Sequence, residues 1–166
     1  DTVRRQRQMC IRDRCRDLFG PTCGFIHEQI AKANVKSDDI TDIFFTHLHP
    51  DHVAGAIDKD SKAIFPNAEV SVIEDELNFW SKDDFKDVEI NGKNFADLNK
   101  AVIKAYGERV KTIKTNQEII SGIYPVPLFG HTPGHCGFRI DDDNDSFVQM
   151  GAVSYTHLRA HETESN

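Results

Sequence analysis

Between Thr46 and His52 the chain reads Thr46-His47-Leu48-His49-Pro50-Asp51-His52, three imidazoles and a carboxylate within six residues. Neutral imidazole nitrogen and carboxylate oxygen are donors that zinc prefers, and a catalytic zinc keeps one coordination position open for water. The apolar run Ile43-Phe44-Phe45 precedes the histidines, so a strand would anchor the loop and point several ligands into one small volume. Solvated histidines clustered by chance are the competing reading, and the density of the run favours a metal site. A second cluster, Gly130-His131-Thr132-Pro133-Gly134-His135, lies about eighty residues further on. Its glycines and proline predict a sharp turn that holds one imidazole rigidly.

Elements able to position two such loops can be read around them. Phe25, Ile26, Gln29, Ile30 and Ala33 fit one face of a short helix ending near Asn34. Ser37-Asp38-Asp39 is turn and cap chemistry, followed by a strand over 40–46. Gly55 between Ala54 and Ala56 suits a short helix packed closely behind the histidine loop, and Pro66-Asn67 marks a turn before a strand over 69–73. A longer helix is expected over 95–107, with Phe95, Leu98, Val102, Ile103 and Tyr106 on one face. Strands are expected over 110–113, 118–120, 123–128, 136–140 and 146–150. The acidic run Asp141-Asp142-Asp143-Asn144-Asp145 begins like a calcium loop. Ser146 then stands where that loop needs glycine and Ala152 where it needs glutamate, so a solvated hairpin is expected. The alternation without repeats describes one α/β domain, as does a length of 166 residues.

Bulk properties exclude several classes. No apolar run approaches a membrane span, and the basic opening lacks the apolar core of a signal peptide. A net charge of -7 argues against nucleic acid as a partner. Cys10, Cys15, Cys23 and Cys136 form no C-x-x-C pair, which leaves zinc ribbons and redox motifs unsupported. Cytoplasmic and periplasmic locations both stay open. Charge is unevenly spread: residues 1–16 hold six arginines and no lysine, whereas 17–151 hold eleven lysines and two arginines. A basic arm is one reading of that opening, and the acidic body opposes a nucleic-acid role for it. Residues 5–14 and 153–163 resemble translated sequencing-adapter read-through. Residues 1–16 and 152–166 are therefore expected to be non-native extensions around a domain over 17–151.

The pair H-x-H-x-D-H and G-H-T-P-G-H resembles the metallo-β-lactamase superfamily, and the resemblance covers essentially all of 17–151. It implies an α/β fold that is a partial αββα sandwich, without the amino-terminal strands and the carboxy-terminal part. Carried onto this sequence, it makes His47, His49 and His135 ligands of a first zinc, and gives Asp51 and His52 to a second. His131 would hydrogen-bond within its turn. Two zinc ions would share a hydroxide and polarise the substrate's carbonyl or phosphoryl oxygen, with no serine or cysteine nucleophile. Asp51 would orient that hydroxide or take up its proton, making it the catalytic carboxylate. Phe65-Pro66-Asn67-Ala68-Glu69-Val70, then Glu74, Glu76, Phe79 and Trp80, resemble the methyl parathion hydrolase branch and related quorum-quenching lactonases, as does the stretch 18–24. The implied substrate is a small-molecule lactone, phosphotriester or related ester. Phe79 and Trp80 would line its pocket or face the core.

Three departures qualify that picture. The family places Gly-Asp after a strand like 147–150, its carboxylate bridging both metals, and here Gly151 precedes Ala152. The final histidine of the second zinc site lies on a later loop that is missing, and His157 and His161 are not expected to replace it. Strands that normally precede Asp17 are missing too. The parent protein would thus hold two zinc ions and this chain about one, with impaired activity and exposed apolar sheet surface that invites association. A thioesterase of the glyoxalase II kind, a β-lactamase and a non-catalytic metal-binding fragment remain as alternatives. The sequence leaves the oligomeric state open.

Overall fold

The computed structural model describes residues 20, 24–82, 89–90, 93–142 and 144–152. The expected extensions 1–16 and 152–166, with His157 and His161, lie outside the described residues apart from Ala152, as do the Phe95 side chain and all of 18–24 except Gly20 and Gly24.

The first sheet is parallel and three-stranded, in the order β1 (Asp42–Phe44), β2 (Glu69–Ile73) and β5 (Val110–Ile113). Its middle strand, Glu-Val-Ser-Val-Ile, supplies the β-branched side chains that pack well on a pleated surface. Val70 and Val72 are fully buried towards the helices, while Ile73 on the opposite face joins a second cluster. Such burial on both faces is expected of a parallel sheet covered on each side.

Helices α1 (Ile26–Lys32), α2 (Pro50–Val53), α3 (Glu74–Trp80) and α4 (Phe95–Tyr106) surround the larger cluster. Pro50 opens α2, where its missing N–H is harmless and its φ is already helical. Helix α4 begins where Asn94 Oδ1 accepts from the Ala96 and Asp97 amides at 2.9 and 3.1 Å, and it stops at Gly107 with φ +54°. Leu98, Val102 and Tyr106 form its buried face, and the Tyr106 hydroxyl donates to Ala56 O at 2.9 Å. Among the described residues no helix is long and apolar enough to cross a membrane.

The second sheet is antiparallel: β6 (Ile123–Pro127), β7 (Cys136–Asp142) and β8 (Asp145–Gln149). Ile73, Cys136 and Phe138, with Phe44, Ile113, Ile119 and Ile123 against them, join it to the parallel sheet. Helices, parallel sheet and antiparallel sheet therefore stack as three layers. A small hairpin of β3 (Glu89–Ile90) and β4 (Lys93–Asn94) precedes α4. Ile140 and Phe147 are cross-strand partners, 42% and 60% exposed, so part of the second sheet offers apolar surface to water.

Three expectations change. The strand over 40–46 shortens to Asp42–Phe44, because the Thr46 carbonyl turns away to accept from Cys136 N of the other sheet at 2.9 Å. Residues 118–120 form no strand; Ile120 makes only an isolated bridge to Ile123 across the tight turn at Ser121-Gly122. The short helix behind the histidine loop resolves into α2 and a 3-10 turn over Ala54–Ala56. The acidic run does form a hairpin, with Asp142 opposite Asp145. Asp141 Oδ1 there accepts from Arg139 Nε at 3.0 Å and Ser146 Oγ at 2.8 Å.

The turn into β2 is held by one side chain. Arg109 Nη1 donates to the carbonyls of Phe65, Pro66 and Ala68 at 3.2, 2.7 and 2.9 Å, and its guanidinium lies 4.9 Å from the Tyr106 ring centre. Hydrogen bonds from a charged donor are worth about 1.5–3 kcal/mol. Arg109→Ala is therefore expected to destabilise the chain by about 2 kcal/mol in urea denaturation, and a loss under about 0.5 kcal/mol would contradict this role.

Candidate metal centre

His47 follows β1 after Phe45 and Thr46 and is completely buried. Its Nδ1 lies 3.0 Å from Thr46 Oγ1, which leaves Nε2 facing the other rings. Around it stand the rings of His52, His49, His131 and His135, with centres 4.1, 4.7, 4.7 and 4.9 Å away. Ring nitrogens of His47, His49 and His131 all lie within 4.8 Å of one another, which is close enough to share one metal ion. His131 Nε2 is 3.2 Å from His47 Nε2.

That trio differs from the one expected from sequence, which gave the third ligand to His135 and kept His131 within its own turn. His131 instead reaches across to His47 and His49. His135 points its Nδ1–H at Leu128 O, 2.7 Å away, and its Nε2 accepts from Ala152 N–H at 3.3 Å. G-H-T-P-G-H contains both candidates, and only the path of its turn decides which nitrogen reaches the others. Asp51 and His52 pair with each other at 3.5 Å on α2, with side chains 58% and 31% exposed. They adjoin the trio through the His52–His47 ring contact.

Residues 151 and 152 also touch the site. A Cβ on Gly151 would fall 2.7 Å from the Thr46 side chain and 3.0 Å from His135 Nε2, and φ is +77°, so only glycine fits there. Its neighbour Ala152 presents a methyl group, which has no donor atom.

Electrostatics favour bare nitrogen. Burial, then the crowding by His52, His49, His135 and His131, pushes the His47 pKa down to about 2. Burial comes first in lowering His49 and His52 as well, against the opposing pull of Asp51. Zinc binds imidazole in its neutral form, so this donor set fits a Zn2+ ion. The nearby Cys136 is not among the converging donors: its Sγ faces Phe45 O at 4.0 Å, and burial and then Glu76 push the thiol up to about 12.

Comparison with known proteins agrees with the two-motif pattern. Residues 7–161 match the family model described as the metallo-beta-lactamase superfamily. The chain belongs to that superfamily. Among solved structures it is similar to AidC, described as a dizinc quorum-quenching lactonase in complex with a product. The identity is 30% and the TM-score 0.66, over 75% of this chain and 45% of that one. It is also similar to the hydrolase AbOPH of the beta-lactamase superfamily, at 31% identity and TM-score 0.71 over 82% of this chain and 48% of that one. A probable metal-dependent hydrolase from Staphylococcus aureus follows at 28% identity and TM-score 0.62, over 77% and 44%. No match was found among curated proteins. The chain thus spans less than half the length of these solved relatives, and its three layers are part of the superfamily fold.

Beside this superfamily's histidine loop lies a cavity of about 270 Å³, lined by Leu48, Leu77, Trp80, Asn99 and Ile103 among others. Trp80 belongs to the core and to the cavity wall at once, and its ring meets His49 edge-on at 5.7 Å. Phe79 packs against the core cluster. Asn99 is 2% exposed, and among the described residues neither polar atom of its amide has a hydrogen-bond partner.

The depressed histidines give a signed pH dependence. Unfolded, these imidazoles take protons below pH 6.5, while folded His47 stays neutral down to about 2. The unfolded state then binds more protons, so stability is complete above 6.5 and falls as pH drops through that window. Thermal unfolding of the metal-free chain is expected to show a midpoint that declines from pH 7 to pH 5. His47→Gln should flatten the decline, and an unchanged slope in that variant would contradict the assignment.

Proposed function

We propose that this chain carries the metal-binding part of a zinc-dependent hydrolase acting on a small-molecule lactone, phosphotriester or related ester. The convergence of His47, His49 and His131 on one point is the observation that carries the reading. These three imidazoles would hold the first ion, with Thr46 and the Leu128 carbonyl fixing the orientations of His47 and His135. Bound zinc would supply a Lewis acid and lower the pKa of water, chemistry that hydrolysis of an ester needs at neutral pH. Asp51, on the exposed side of α2, would receive the proton from that water, and His52 would stand with it towards a second ion. The cavity walled by Leu48 and Trp80 would offer apolar surface to the hydrocarbon part of the substrate, with Asn99 available to a carbonyl or N–H group. AidC and AbOPH lend support as a lactonase and a hydrolase at about 30% identity.

Ala152 favours a second reading for this chain alone, a centre that binds metal without turning over substrate. A domain over 17–151 with non-native ends would account for that alanine, and one tightly held zinc is expected.

Zinc titration of the full chain is expected to give about one equivalent. His47→Ala and His131→Ala should each abolish tight binding, whereas His135→Ala should weaken it by about tenfold, the scale of supporting-residue effects. Complete loss in His135→Ala with retention in His131→Ala would return the third ligand to His135. Ala152→Asp should raise the content towards two equivalents and give slow hydrolysis in a panel of lactones and phosphotriesters. Two bound zincs without turnover of any ester, thioester or lactam would overturn the hydrolase reading.

A further inference from the structure

Glu76 is a charged residue with no exposure at all, placed in the first turn of α3 and absent from the ligand set. Its carboxylate accepts four hydrogen bonds. Oε1 takes Leu48 N at 2.9 Å and Trp80 Nε1 at 2.7 Å, and Oε2 takes Thr132 Oγ1 at 2.6 Å and Gly134 N at 3.0 Å. Leu48 separates His47 from His49, Thr132 follows His131, and Gly134 precedes His135. Each oxygen therefore serves one of the two histidine loops, through atoms adjacent to the imidazoles rather than through the imidazoles themselves.

Gly134 supplies independent support for this fit. A Cβ there would lie 2.3 Å from Glu76 N, 2.5 Å from its Cβ and 2.7 Å from its Cα. The second loop is thus pressed onto the backbone of α3 as closely as a chain without side chains allows, directly beside the carboxylate that holds it.

We propose that Glu76 is a positioning residue that sets the distance and register between the two histidine loops, and so tunes the affinity of the centre for metal. The proposal rests on the reading of those loops as a zinc site. Four donors on two oxygens saturate a carboxylate, and no neutral isostere can replace all four bonds. In Glu76→Gln the amide NH2 would face either Leu48 N–H or Gly134 N–H, donor against donor. One loop would be released while the core keeps a side chain of the same size. Groups that orient metal ligands typically change metal affinity by roughly 10–100-fold when removed.

The test uses the full chain with zinc as the probe. Trp80 is the chain's single tryptophan, bonded to Glu76 and in contact with the His49 ring, so its emission reports on both. Chelator competition should show zinc binding roughly 10–100-fold weaker in Glu76→Gln, at temperatures where the variant remains folded. Thr132→Val removes one donor at constant shape and should weaken zinc by about tenfold, which covers the case in which Glu76→Gln does not fold. A residue that merely stabilises the fold would lower the unfolding midpoint and leave zinc affinity unchanged in the folded protein, and that result in both variants overturns the proposal. Amide exchange in the metal-free chain separates this claim from the zinc reading. Faster exchange at Gly134 in Thr132→Val, and at Leu48 or Gly134 in Glu76→Gln, supports the positioning role even if wild type takes up no zinc. Unchanged exchange at both amides overturns it.

Discussion

Four imidazoles crowd around that of His47, and the crowding is tolerable only while the His47 ring carries no charge. His47 is fully buried with neighbouring ring centres between 4.1 and 4.9 Å away, so a proton there would face lost solvation and the repulsion of further imidazolium groups. The surrounding structure keeps these rings together by hydrogen bonds that do not require imidazolium. Thr46 Oγ1 meets one nitrogen of His47, and the Leu128 carbonyl fixes the tautomer of His135. The same geometry brings ring nitrogens of His47, His49 and His131 to one point, where they could hold a cation.

Bringing the two loops to one point is the work of the sheets. β1 delivers the first loop at its carboxy-terminal end, and the Thr46–Cys136 backbone bond joins that end to the start of β7, directly after the second loop. Phe44 and Phe138, with ring centres 5.4 Å apart, pack the sheets together just beneath that joint. Glu76 then couples both loops to α3. Positioning thus passes from sheet pairing to backbone bonds to imidazoles. The apolar surface at Ile140 and Phe147 lies towards the far end of the same antiparallel sheet, away from this joint.

What could be read from sequence was local. Strand β2 and helix α4 carry their own periodicity and caps, and both stand within a residue of where pattern placed them. The histidine loops were visible because their imidazoles are packed densely along the chain. Contacts between distant residues were not visible. Which of His131 and His135 joins His47 and His49 depends on the path of a turn, and both lie more than eighty residues from His47. Glu76 stood out only as part of a family-like run with Glu74, Phe79 and Trp80, because its partners Leu48 and Gly134 are 28 and 58 residues away. Residues 118–120 failed as a strand for a related reason: apolar residues suggest extension, but the tight turn that follows leaves room for a single bridge.

Two loops whose imidazoles converge on one point would form a zinc centre in this member of the metallo-β-lactamase superfamily. X-ray absorption spectroscopy of the zinc-loaded full chain tests it most directly. The expected spectrum has a nitrogen- and oxygen-only shell with multiple scattering from three imidazoles and no sulfur, because Cys136 is not among the converging donors. A zinc–sulfur distance in the spectrum, or scattering from fewer than two imidazoles, would contradict it.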